Sequence, residues 1–215
     1  MFIEIHSQNP QERLLQRVVD CLKKGGIIIY PTDTVYGLGC DITNKAAIER
    51  VCRIKKINPE KSQFACICED FKYVGEYTNH VSTPIFKLMK RVLPGPYTFI
   101  LEASKNIPRH FQSRRKTVGI RVVNHKIPSE IVRLLGNPLM TTSLPEDDDL
   151  QEYITDAWQI HERYEHLVDM VIDGGEGGLL PSTILDCSQG EDKIILVREG
   201  AGDLEALNLE ILEIE

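Results

Sequence analysis

The sequence predicts a single α/β domain built around one mixed β-sheet. Three observations point there. Short apolar runs with strand character alternate with segments of helical apolar spacing instead of falling into separate blocks. The 215 residues suffice for one substantial core. Neither a low-complexity linker nor an internal repeat divides them.

The elements follow in chain order. Asn9 suits an N-cap, Pro10 the first helical position, and Glu12 lies three residues after Asn9. Leu14, Leu15, Val18, Val19 and Leu22 then recur at helical spacing, and Gly25 closes this first helix. Residues 27–30, IIIY, read as a strand. It empties into Thr32, Asp33 and Thr34, and Gly37 and Gly39 read as a loop whose backbone turns sharply or approaches a ligand. A second helix spans about 44–56, with Ala47, Ile48, Val51 and Ile54 on one side. Residues 64–68, FACIC, form a strand, and 83–92 a helix stopped by Pro94-Gly95-Pro96. Strands follow at 97–103 and 117–123, a helix at 127–135 closed by Gly136, and a strand at 139–143. The stretch 146–167 turns helical after an acidic start, EDDD, that reads as a solvated helix beginning. Strands at 168–173, 182–187 and 193–199 complete the set.

Composition bounds the function. Hydrophobic residues make up 42% and charged ones 27%, ordinary for a globular protein in water. No apolar run reaches membrane-span length, and the N-terminus lacks a basic segment followed by an apolar one. The expected compartment is cytoplasmic, with no membrane partner. The six cysteines, Cys21, Cys40, Cys52, Cys66, Cys68 and Cys187, contain no C-x-x-C pair. They read as reduced, buried thiols rather than metal ligands. The net charge of −7 hides an asymmetry: residues 1–140 hold 22 basic and 12 acidic side chains, residues 141–215 hold 3 and 20. The basic part suits phosphates or a nucleic acid, although solvation of two different faces accounts for the split equally well.

Several strand ends carry hydroxyl side chains: YPTDT, MTTS and PSTILD. In α/β proteins such ends are where ligands bind. Arg53, Lys55, Lys56 and Lys61 cluster in RIKKINPEK, which suits an anion, though a helix C-terminus attracts lysines by its dipole alone. Arg121 interrupts the apolar strand TVGIRVV, where an unpaired guanidinium is costly. Arg198 follows another apolar strand. There is neither a Walker motif nor G-x-G-x-x-G, so a dinucleotide fold is disfavoured. No Ser-His or Cys-His pair is indicated. The profile is that of a site for a phosphorylated ligand together with a small polar one.

In their order, GGIIIYPTDTVYGLGCD, IKK, LPGPYTFIL, TVGIRVV, TTS, PSTILD and VREG resemble the YrdC/YciO family over about residues 10–205, leaving 206–215 as an acidic C-terminal tail. The resemblance implies a twisted mixed sheet flanked by helices, with a concave basic binding surface. It implies threonylcarbamoyl-AMP synthesis from L-threonine, bicarbonate and ATP, with Mg²⁺ on the nucleotide and pyrophosphate released. The product serves N6-threonylcarbamoyl modification of adenosine 37 in transfer RNA, with partner proteins. The resemblance places Thr32, Arg121 and Ser182 near L-threonine, and Lys55, Thr117, Ser143 and Arg198 around ATP. It implies no resident metal, leaves the catalytic residues open, and gives the protein positioning and charge stabilisation more than a covalent nucleophile.

Two positions depart from the family pattern. Its K-x-R motif reads Lys55-Lys56-Ile57, and its S-x-N motif reads Ser143-Leu144-Pro145. The segments TTSLP and SQFACICED lean toward the YciO-like branch. Three readings follow: a synthase; a relative acting on threonylcarbamoyl-AMP or a similar adenylate without efficient synthesis; and a module binding tRNA or double-stranded RNA.

Overall fold

The computed structural model describes residues 1–58, 64–111, 116–144, 153–190, 193–207 and 213–214. Lys61, Pro145, the acidic run 146–149 and most of the 206–215 tail lie outside the described residues. The N-terminal half comprises β1 (Phe2–Glu4), α1 (Glu12–Lys23), β2 (Ile28–Tyr30), β3 (Gly37–Asp41), α2 (Lys45–Ile54), β4 (Ala65–Ile67), α3 (Val74–Tyr77), α4 (Thr83–Val92) and β5 (Tyr97–Glu102). Then come β6 (Thr117–Arg121), α5 (Lys126–Leu135), β7 (Leu139–Ser143), α6 (Ala157–Tyr164), β8 (Met170–Asp173), β9 (Thr183–Asp186), β10 (Ile195–Arg198) and β11 (Glu213–Ile214).

All the described strands join one sheet in the order β1-β8-β2-β3-β7-β4-β6-β5-β9-β10-β11. The sheet is mixed: β4 runs parallel to β6 and β5 parallel to β9, while β3–β7 and β5–β6 are antiparallel. Side chains alternate between faces along each strand. One face buries Leu38, Cys40, Cys66, Phe99, Val118, Ile120 and Met140 against the apolar sides of α2, α4 and α6. The other buries Ile28, Tyr30, Ile67, Leu139, Met170 and Ile172 under α1 and α5. These two helices cover only part of that second face, and this incomplete cover positions the site.

Local chemistry explains the boundaries. Asn44 caps α2 by accepting from the Ala47 amide at 3.0 Å. Gly136 ends α5 in the left-handed region at φ 82°, which costs glycine little. The start of α1 differs from expectation. His6 Nδ1 accepts from the Gln8 and Asn9 amides at 3.2 and 3.1 Å, holding that stretch in a turn, and the helix begins at Glu12 after an extended Gln11. The GLG segment also departs from the loop reading, because it is β3 itself. Tyr30 lies directly across from Gly37. A Cβ on Gly37 or on Gly39 would come within 3.0 Å of the Tyr30 ring, so the glycines make a flat bed for that ring.

Candidate functional site

Where α1 and α5 stop, the second face of the sheet is open. Its floor is read off by alternation: Gly37 on β3, Thr141 and Ser143 on β7, Ala65 on β4, Thr117, Gly119 and Arg121 on β6, Thr98 and Ile100 on β5. Registration agrees, since Gly37 faces Ser143, and Ala65 faces both Thr141 and Gly119. Small and hydroxyl side chains here leave a cleft of about 940 Å³, counting its open mouth. Its walls include Thr34 and Val35 from the β2–β3 connection, the stacked rings of Phe64 and Phe111, and Pro181, Ser182, Val197 and Arg198.

Arg121 is 7% exposed, and its Nη2 donates to Asp33 Oδ1 at 2.8 Å and to Thr34 Oγ1 at 3.2 Å. The other Asp33 oxygen accepts from the Asn124 amide at 2.9 Å, locking the carboxylate in place. The sequence left Arg121 in need of a partner, and the chain supplies Asp33. Nη1 has no described partner, and Nε is buried without one. Burial pulls the guanidinium pKa down from its usual range, and the Asp33 carboxylate works against that pull.

Thr32 does not line the cleft. Its hydroxyl donates to the Val35 carbonyl at 2.7 Å and accepts from the Thr34 amide at 3.0 Å, a hydroxyl-mediated turn. The cleft side chain from this segment is Thr34, two residues on, so Thr32 shapes the loop that presents it. At the far wall, Ser182 Oγ lies 2.8 Å from Thr98 Oγ1. Arg198 donates to the Ser182 carbonyl through Nε at 3.2 Å and Nη2 at 2.8 Å, which holds its guanidinium against the wall. Lys55 is outside the lining, and its ammonium donates to the Ser143 carbonyl at 2.7 Å. Thr117, Ser143, Arg121, Ser182 and Arg198 all line the one cleft. Ile57 is 36% exposed.

Asp33, Thr34, Thr98 and Thr141 also belong to the site. Strand alternation alone would have found Thr141, which shares a face with Ser143; Thr98 needs the β5–β6 register as well, which sets Ile100 opposite Gly119. Among the described residues no group of three or more His, Cys, Asp or Glu side chains is arranged to hold a metal ion. No described helix is long and apolar enough to cross a membrane.

Residues 20–200 match the family Sua5/YciO/YrdC, described as telomere recombination. The chain belongs to this family. It is 41% identical over 206 residues to the uncharacterized protein YciO of Escherichia coli K12, covering 94% of this chain and 97% of that one. The crystal structure of E. coli YciO superposes with a TM-score of 0.88 over 96% of this chain and 98% of that one. A threonylcarbamoyl-AMP synthase of Coxiella burnetii is 30% identical over 174 residues, 80% of this chain and 92% of its own. P. abyssi Sua5 complexed with L-threonine gives a TM-score of 0.88 at 24% identity, covering 100% of this chain and 62% of that one. At that identity the likeness shows the shared fold.

Proposed function

We propose that this protein binds L-threonine and Mg²⁺-ATP side by side in the cleft and joins them, through bicarbonate, into threonylcarbamoyl-AMP. The observation that carries the reading is the Arg121 guanidinium lining the cleft among hydroxyl side chains, with its Nη2 held by Asp33 and Thr34 and no described partner on Nη1. A ligand carboxylate is the acceptor such a group lacks, and a charge-assisted hydrogen bond there contributes about 1.5–3 kcal/mol. Support comes from the synthase named among the relatives and from the L-threonine held by the Sua5 fold.

In this reading Arg121 takes the threonine carboxylate, Ser182 and Thr34 orient the amino acid, and Thr32 holds Thr34. Thr117, Ser143 and Arg198 face the nucleotide, with Mg²⁺ on its phosphates, and Lys55 adds its charge from behind Ser143, whose carbonyl it holds. The threonine amine attacks the bicarbonate carbon and water leaves, giving a carbamate. A carbamate oxygen then attacks the α-phosphorus, and the bond to the β-phosphate breaks to release pyrophosphate. The cleft's contribution is positioning and charge stabilisation, since no covalent nucleophile is needed. The product is an activated acyl donor, suited to cytoplasmic tRNA modification by partner proteins.

One observation favours a second reading, an enzyme that handles the adenylate but synthesises it slowly. Apolar, partly exposed Ile57 stands where the K-x-R pattern has a cation, and Lys55 is engaged by the Ser143 carbonyl. Incorporation of labelled bicarbonate with threonine and ATP decides between them. Synthesis requires threonine-dependent incorporation and pyrophosphate release. If that rate is low and Ile57→Arg with Pro145→Asn raises it, the second reading holds; no incorporation in either protein would sink the first.

A further inference from the structure

Strand β1 closes one end of the sheet, and no described strand lies beyond it. Its inner side is paired with β8. The Met1 carbonyl accepts from the Val171 amide and the Ile5 amide donates to the Asp173 carbonyl, both at 2.8 Å. In a parallel ladder alternate residues turn their backbone groups to the same neighbour, so Met1, Ile3 and Ile5 bond inward. Phe2 and Glu4 therefore point their amides and carbonyls away from the sheet. His6 is next in that set, but its amide donates to Gln11 Oε1 at 3.2 Å, which ends the free edge. Four outward groups remain, and such groups are a template for another strand.

The side chains sort by alternation. Ile3 and Ile5 are buried on the face that α1 covers. Phe2 turns to the opposite face and packs against α6, its ring 5.3 Å from Trp158 and 5.2 Å from His161. Trp158 is 54% exposed and Met1 55%, large apolar side chains left in water beside an open edge. Edge strands are ordinarily guarded by lysine, proline or a bulge. The strand FIE has none of these, and Glu4 is its one charge.

The edge is also self-complementary. An antiparallel copy with Phe2 opposite Glu4 makes one hydrogen-bonded pair on each side of a two-fold axis through Ile3, and every outward group on both chains is satisfied. Setting Phe2 opposite Phe2, or Glu4 opposite Glu4, would satisfy half of them. We infer that this edge is the interface of a symmetric dimer, in which β1 pairs antiparallel with β1 of a second copy and Trp158 covers the joint. One contribution opposes it: the two Glu4 side chains are diagonal neighbours across the joint, about 7–8 Å apart. The cleft floor lies on β3, β7, β4, β6 and β5, with β8 and β2 between it and the joint. The inference thus goes beyond the proposed function and stands without it.

The test is sedimentation equilibrium over about 1–100 μM, suited to a small interface, together with amide exchange by NMR. The parent should move from the mass of one chain to that of two. The Glu4 amide should become protected only as the dimer forms, whereas the Ile3 amide is protected throughout. Glu4→Pro removes an outward amide without touching the β8 ladder, and should leave a single chain. Trp158→Ala should weaken the dimer at least about tenfold. Glu4→Gln removes the diagonal repulsion and should tighten it about two- to threefold. A parent that stays a single chain throughout overturns the inference, as does a dimer that Glu4→Pro leaves intact. Unchanged affinity in Glu4→Gln would overturn the register, and in Trp158→Ala the part given to the indole. Protection of the Glu4 amide by an added extended peptide, in a parent that stays single, would give the edge another occupant and overturn the second copy. Should Glu4→Pro fail to fold, exchange of the Glu4 amide in the parent still decides: free exchange in a dimer places the interface elsewhere.

Discussion

One face of the sheet carries two different surfaces on largely the same strands. Where α1 and α5 lie over it, the inward positions are Ile28, Ile67, Leu139 and Ile172. Two residues along the same β4 and β7 strands, where no helix lies, they become Ala65 and Thr141. The pleat is continuous across the border, so backbone geometry does not set the change. The covering element sets it. Apolar bulk is retained where a helix removes it from water, and hydroxyls and glycine occupy the floor where solvent or a ligand must be met. Arg121 is at that border, a charge on a buried strand end tied to Asp33.

The largest expected effect is at the border itself. Arg121→Met should cost about 3–5 kcal/mol in denaturant unfolding, because it leaves the Asp33 carboxylate buried and uncompensated. Adding Asp33→Leu should recover much of that; a double variant as unstable as the single one would mean that the ion pair is not the cause. Next, the two halves should respond unequally to the same deletion. Ile172→Ala, under α1 and α5, should cost roughly 2–4 kcal/mol, and Ile184→Ala, on the open half, less than half as much. Equal losses would erase the distinction between covered and open. Smaller again is Gly39→Ala, at about 1–3 kcal/mol, because its Cβ would meet the Met140 carbonyl at 2.3 Å and the Tyr30 ring at 3.0 Å.

The smallest effect is a pH dependence. His125 Nδ1 accepts from the Ile127 amide at 3.2 Å at the start of α5, which requires a neutral imidazole. Burial lowers its pKa from 6.5, with Asp33 opposing that shift. The unfolded chain therefore takes up this proton at a higher pH than the folded one. The contribution of His125 to stability is level above about pH 6.5 and declines as the pH falls below it. His125→Asn, which keeps an acceptor for the amide, should flatten that acid limb, read as the change in unfolding midpoint between two buffers on either side of it.

Much of this architecture was legible in the sequence, for physical reasons. Helix α4 has the bounds expected from its apolar spacing and its proline stop, and β7 those expected from LMTTS. Strand β3 was not legible, since glycines carry no strand preference of their own. What makes GLG a strand is the ring of Tyr30 from the neighbouring strand, a tertiary fact. The need of Arg121 for a partner was readable from its apolar neighbours, but the partner is 88 residues away. The strand-end hydroxyls were readable as a group, yet Thr32 and Thr34 have the same side chain and opposite duties. Only the turn, which consumes one hydroxyl and presents the other, separates them.

The order of strands has a consequence for synthesis of the chain on the ribosome. The six central strands, from β2 across β3, β7, β4 and β6 to β5, are complete once residue 143 has been made. Their two flanks are closed by β8 beside β2 and by β9 beside β5, which are the segments Met170–Asp173 and Thr183–Asp186. A nascent chain thus passes through an interval in which a nearly finished sheet presents unpaired edges on both sides. Exposed edges of this kind recruit other chains. At about 5–20 residues per second the interval lasts a few seconds, long enough for a trailing ribosome on the same message to present an identical edge.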